Sequence, residues 1–410
     1  MKNIAKFYLV IGLSANFLVL FAGSVLAQDS QKSAQELAEE ACVAQKISGT
    51  RTYKFRELPL PTGEKGWFGP KPWHHSITRF LPFFRPSKEK YAADDIRVLQ
   101  ETYGKPAPVG ESARARKIRL AEEEKVRAAD EMGETRWQLW QTENPNATEL
   151  ERKAAEVRVR IGTSSVKSAR FDWSDYSLNL GEVKDQGFSC NLCWAFAAVD
   201  AAQSARHLSA FRNGQTEIET TYQPSVRQLV SCMKPGERPV CKEGWHGDVL
   251  TYLVESGLPL GGSNKYSATV NDGWECDAPL RVKALTWDYV SATPQQMAST
   301  EEIKNALVKY GPVLTVIRLD LCFGLYGEGI FNEEMRSGGN HIMLIVGWND
   351  EKQAWRVKNS FGEEWGESGY GWIKYGSNEI GRFSAVLVAN PEEEVRLAAE
   401  IKKLPKEESR

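Results

Sequence analysis

Seven cysteines occur in the chain, and six of them lie between Cys190 and Cys322. One of these, Cys193, opens the run Trp194-Ala195-Phe196-Ala197-Ala198-Val199, so its sulfur is placed at the start of a helix. A nucleophilic cysteine acts as thiolate, and the positive end of a helix and a nearby imidazole both favour that form. The five histidines sort by geometry. His207 is 14 residues further along the same helix, about 21 Å away at 1.5 Å per residue, and is out of reach. His74 and His75 fall in a proline-rich stretch, and His246 falls in a glycine loop near other cysteines. His341 heads the apolar run Ile342-Met343-Leu344-Ile345-Val346 and is the base best held, at the mouth of a sheet. Cysteine nucleophile and histidine base together are the chemistry of acyl transfer.

The elements that must position these residues are a helix from Cys193 to about Leu208, a second from Glu302 to Lys309, and glycine-rich loops between them. Strands are predicted over Leu314 to Leu319, His341 to Val346, Trp355 to Lys358, Gly371 to Lys374 and Phe383 to Val388. Helix first and sheet later makes an α+β unit of two lobes. The tail from Pro391 to Arg410 is rich in Glu and Lys and reads as a surface helix or frayed end.

Upstream, residues 28–167 lack the apolar density of a core. Residues 60–91 alternate prolines with Trp67, Phe68, Trp73, Phe80, Phe83, Phe84 and Tyr91, which excludes a long helix and suits an extended segment on a neighbouring surface. Residues 111–140 are rich in Ala, Glu, Arg and Lys and read as helical. Asn146-Ala147-Thr148 matches a glycosylation acceptor. Lys2 and Lys6 precede the apolar run from Phe7 to Phe21, and Val25-Leu26-Ala27 supplies small residues, so residues 1–27 read as a signal peptide; an uncleaved anchor from Phe7 to Leu26 is the alternative. Either way the remainder is exported, to a compartment where disulfides persist. The balance of 52 Lys+Arg against 54 Asp+Glu gives nucleic acid no broad basic surface.

Several segments resemble, in order, the papain-like cysteine peptidases. Val183-Lys184-Asp185-Gln186-Gly187 and Cys190-Asn191-Leu192-Cys193-Trp194-Ala195-Phe196 resemble the family's nucleophile block. Gly339-Asn340-His341 with Ile345-Val346-Gly347-Trp348 resembles its histidine strand, and Trp355 to Ser360 with Trp365 to Gly371 its asparagine block. His341 lies 148 residues beyond Cys193 and Asn359 lies 166 beyond, near the family's spacing of about 130–150. The resemblance implies a papain-like two-lobed fold, a helical lobe and an antiparallel β lobe with a cleft between, over residues 168–390. It implies Cys193 as nucleophile, His341 as base, Asn359 as acceptor from the other ring nitrogen, and Gln186 as an oxyanion donor. It also implies disulfides Cys190–Cys241 and Cys232–Cys276, a free Cys193, no metal and no cofactor. Asn191, Glu243, Gly244, Trp245, His246 and Asn340 are the residues it places along the substrate cleft, with the Trp245 indole at a pocket rim. Protein or peptide substrates are the expected partners, and residues 28–167 are the expected inhibitory propeptide, lying over the cleft. A membrane enters only if the leader is uncleaved.

Departures from the family pattern are equally specific. One extra residue separates Gln186 from Cys193, Asn191-Leu192 replaces Gly-Ser, and Glu243-Gly244 replaces Gly-Gly, so side chains narrow or recharge the cleft. Phe361 stands where a tryptophan commonly shields the Asn359 bond. Cys322, beside Phe323, reads as a buried structural thiol, and Cys42 has no assignment. Two rival readings remain. Cys190-Asn191-Leu192-Cys193 at a helix start is also the layout of a thiol-disulfide oxidoreductase, and altered cleft residues suit a catalytically weak or silent binding module.

Overall fold

The computed structural model describes residues 39, 40, 42, 52–56, 111–187, 190–216, 218, 222–233, 241, 243–262, 266, 275–333 and 339–403. The leader and the proline-rich stretch at 60–91 lie outside the described residues, as do Phe188 and Ser189.

A nine-stranded sheet carries the structure, in the order β1-β7-β10-β9-β8-β6-β11-β5 with β2 paired to β8. Its strands are β1 (Tyr53–Phe55), β2 (Arg170–Asp172), β5 (Ala284–Tyr289), β6 (Val313–Ile317), β7 (Tyr326–Phe331), β8 (His341–Asn349), β9 (Ala354–Lys358), β10 (Tyr370–Lys374) and β11 (Arg382–Ala389). Strands β3 (Leu258–Leu260) and β4 (Leu280–Val282) form a separate pair. All pairings are antiparallel except β7 with β10, so the expected antiparallel lobe contains one parallel pair. The five predicted strands are present, most of them a residue or more longer. β8 runs to Asn349 because Trp348, though past the apolar run, is fully buried against Phe171 of β2.

Helix α4 (Cys193–Arg212) crosses the sheet, and every residue of it except Cys193 is buried. A helix was expected here, but its burial on all sides was not, and it has a cause. Its polar side is paired rather than solvated: Arg206 forms an ion pair with Glu394, His207 Nδ1 accepts from Asn179 N–H, and Arg212 donates to the Lys309 and Val308 carbonyls. Glu394 belongs to α9 (Pro391–Ile401), so the tail docks through Leu397, which is fully buried, instead of fraying. Helices α5 (Val226–Met233) and α6 (His246–Glu255) occupy the stretch expected to be loop, and α7 (Thr300–Tyr310) matches expectation. A short turn of helix, α8, spans Leu321–Gly324.

The extension contributes α1 (Ala113–Asp130), α2 (Gly133–Glu143) and α3 (Glu149–Val159). The predicted single helical stretch breaks at Met132, which adopts φ 62. Helix α3 was missed, although Thr148 and Glu151 form the capping box that announces it. Glu123 of α1 accepts from Tyr310 Oη at 2.6 Å and pairs with Lys309, while Lys125 reaches Asn213 just past the end of α4. Twenty residues of helix span about 30 Å. These helices therefore sit at the end of α4 far from Cys193 and do not lie over it.

Three disulfides form. Cys190–Cys241 and Cys232–Cys276 are those the resemblance implied, and the third, Cys42–Cys322, was not foreseen. Cys322 is therefore not a free buried thiol; it is bonded to a residue 280 positions earlier. The expected boundary at 167/168 is crossed by this bond and by β1, which joins the sheet edge at β7.

Candidate active site

Cys193 is the free cysteine and is only partly buried at the N-terminus of α4. The backbone N–H groups of Ile342, Trp194 and Cys193 itself bear on the sulfur, so the thiol lies against the start of β8, where His341 stands. Burial pushes the thiol up to about 11; those N–H groups oppose the rise and the carboxylate of Glu243 adds to it.

His341 is 2% exposed, and its Nε2 lies 2.8 Å from Asn359 Oδ1. The same oxygen accepts the Ser360 backbone N–H at 2.8 Å, so it is an acceptor and the ring nitrogen must donate to it. Nδ1 is left as the basic nitrogen. Burial pulls the imidazole down to about 4, against the effect of Asn359. Phe361 covers this pair, its ring 4.8 Å from that of His341, and Trp365 meets Phe361 edge-on at 6.3 Å.

Gln186 is 1% exposed and is anchored on both sides of its amide. Ser360 Oγ donates to Oε1 at 2.7 Å, and Nε2 donates to Cys190 O at 2.9 Å. The second amide hydrogen of Gln186 has no partner among the described residues. Ser360 was not singled out in the sequence, though its place directly after Asn359 was a usable signal.

The cleft residues fare unevenly. Glu243 is exposed and Asn191 half-buried. A Cβ on Gly244 would lie 2.4 Å from the Trp194 indole, so this glycine is required by packing. Trp245 is not at a rim. It is 4% exposed, with its ring 4.4 Å from His246 and 4.8 Å from Phe383, because α6 begins here and turns both residues into the core. His246 is wholly buried, with Nε2 2.8 Å from the Phe383 carbonyl, and burial lowers it to about 4. Both are buried, and the rim expectation falls. Asn340 spends its amide on the backbone of Leu319, with bonds of 2.7 and 3.1 Å.

A charged cluster that the sequence reading missed lies beneath the site. Asp200 of α4 binds the Nζ of Lys358, which precedes Asn359, and accepts from Lys184, two residues before Gln186, at 3.4 Å. Among the described residues no group of three or more His, Cys, Asp or Glu side chains is placed to hold a metal ion.

A cysteine at a helix start, a histidine oriented by an asparagine and a fixed glutamine amide, on a helix-plus-sheet frame, are the parts that thiol-based hydrolysis requires. The family model "Papain family cysteine protease" matches residues 167–389, and the chain belongs to that family. It is 31% identical over 220 residues to Gamete and mating-type specific protein A of Dictyostelium discoideum, a match covering 52% of this chain and 44% of that protein. Cathepsin L 2 of Paramecium tetraurelia is 28% identical, covering 53% and 63% respectively. The chain thus spans less than two thirds of the length of these relatives. The solved digestive procathepsin L 3 of Tenebrio molitor aligns over 73% of this chain and all of that one, at 22% identity and a TM-score of 0.45.

Proposed function

We propose that the protein is an exported cysteine peptidase that hydrolyses peptide bonds through Cys193, His341 and Asn359. The observation that carries this is the buried His341–Asn359 bond, which leaves Nδ1 as the base on the residue before Ile342, whose backbone N–H bears on the free thiol. Burial opposes thiolate or imidazolium alone, so the two charges arise together by transfer of the thiol proton to Nδ1. The thiolate then attacks the substrate carbonyl. The oxyanion takes a hydrogen bond from Gln186 Nε2 and the Cys193 backbone N–H, and the imidazolium returns its proton to the leaving amine, giving a thioester that water hydrolyses. No organic cofactor or metal has a part in these steps.

The redox reading loses support because Cys190 is bonded to Cys241 and not to Cys193. The silent-module reading is opposed by the intact orientation of His341. Export rests on three disulfides; among the described residues no helix is long and apolar enough to cross a membrane. A zymogen form is part of the proposal, and since α1–α3 lie away from Cys193 the inhibitory role falls to residues 28–110. Cys193→Ala should abolish turnover of a peptide library and labelling by an epoxide thiol inhibitor; wild-type cleavage by that variant sinks the reading.

A further inference from the structure

The edge of the large sheet is completed by a strand from far upstream of the family's matched region, and β7 is shaped to receive it. Tyr53, Lys54 and Phe55 pair with Gly329, Glu328 and Tyr326. A Cβ at Gly327 would lie 2.5 Å from Arg56 N, and one at Gly329, whose φ is +94°, would lie 2.8 Å from Thr52 O. Side chains at either place would push the strand away. Tyr53 is 4% exposed, its ring 4.7 Å from Phe331, and its hydroxyl donates to the buried Glu333 at 2.8 Å. Before the strand, Cys42 is bonded to Cys322, both 2% exposed. After it, Arg56 N donates to Leu325 O at 2.9 Å, and the guanidinium feels the carboxylates of Glu364 and Asp185. Asp185 in turn bridges to Phe361, the ring that covers His341.

We propose that the β7 edge is a docking surface whose permanent occupant is the Tyr53–Phe55 strand of the same chain: when the chain is cut between 57 and 110, this strand stays on the peptidase as part of a separate peptide joined through Cys42–Cys322. Hydrolysis of a backbone bond consumes one water and creates two termini, and it leaves the disulfide intact. Release needs an external thiolate to attack one of two sulfurs that solvent scarcely reaches. Loss of the segment would bare the Tyr326 and Phe331 rings and leave β7 as an unpaired edge, which folded proteins avoid. The inference rests on the zymogen reading only in supposing that the extension is cut.

The test introduces the cut directly. A recognition sequence for a site-specific protease is placed between residues 57 and 110 of the full chain, the protein is cut, and intact masses are taken after size exclusion with and without reductant. The expected result is a Cys42-containing peptide that travels with the peptidase and separates only after denaturation with reductant. Loss of that peptide without reductant, with Cys322 open to alkylation, overturns the proposal. In a second arm, Cys42→Ser with Cys322→Ser is cut in the same way. It should melt roughly 10 °C lower and shed the peptide, as expected for removing a disulfide and a buried strand; a melting point equal to that of the cut parent also overturns it. Epoxide labelling of Cys193 is scored separately, so failure of the peptidase reading would show there while the masses still decide the fate of the segment.

Discussion

At the sulfur of Cys193 the surrounding groups pull in opposite directions. Three backbone N–H groups favour the thiolate, while burial and the Glu243 carboxylate favour the thiol. Glu243 occupies a position where the family pattern has glycine, so the carboxylate is a local addition that makes ionisation harder. Glu243→Gln removes that negative charge, and the thiol pKa should fall. The rate of alkylation by a neutral reagent, followed against pH, should then show its ionisation limb displaced to lower pH with an unchanged plateau. An unmoved limb would mean that Glu243 is too well solvated to act on the sulfur. The candidate residues Cys193, His341, Asn359 and Gln186 could be picked out of the sequence because each sits in a short run with a distinctive residue order. The burial of Trp245 could not, because exposure depends on how α6 is rotated into the core, and a single aromatic after a glycine carries no sign of that.

Helix α4 does two tasks: it presents Cys193 at its first turn and buries a charged residue two turns later. Asp200 binds Lys358 on β9 and Lys184 on the loop to Gln186, and so ties together the three segments that carry Cys193, Asn359 and Gln186. Lys358 is 1% exposed at its side chain, and burial pulls its ammonium below the usual lysine range against the pull of Asp200. Asp200→Asn leaves that ammonium without its counter-charge and should cost about 3–5 kcal/mol. Pairing it with Lys358→Met removes the stranded charge as well and should recover most of the loss, since a buried ion pair contributes little over an apolar replacement. Urea unfolding of the two variants decides the matter; equal destabilisation by the single and double changes would contradict it. Local pattern gave the position of α4 and of five strands. It could not show that the helix is buried on all sides, because the partners of its polar face come from α7 and α9, and from the loop holding Asn179, all far along the chain. The Cys42–Cys322 bond was hidden for the same reason: two cysteines 280 residues apart carry no shared local signal.

For the whole molecule, acid stability follows from groups buried in the wrong protonation state. His246 and His341 are both held down to about 4 by burial, whereas an unfolded chain protonates histidine near 6.5. Between those values the unfolded state binds protons that the folded state refuses, so stability is lost as pH falls from about 6.5 to 4. Asp320 works the other way. Burial raises its carboxyl to about 6, so the folded state holds a proton there that an unfolded Asp, near 3.9, has released. Its contribution is present in full below about pH 3.9 and is lost as pH rises through 6, which partly offsets the histidines in acid and leaves a buried charge at neutral pH. Asp320→Asn keeps an oxygen to accept the Phe323 N–H, bonded to Asp320 Oδ1 at 2.8 Å, and removes the titration. The variant should be more stable than the parent by about 3 kcal/mol at pH 8 and by less than about 1 kcal/mol at pH 4, with a steeper decline in between. Melting points at pH 4, 6 and 8 test this, and a difference that does not change with pH would show that Asp320 stays ionised throughout.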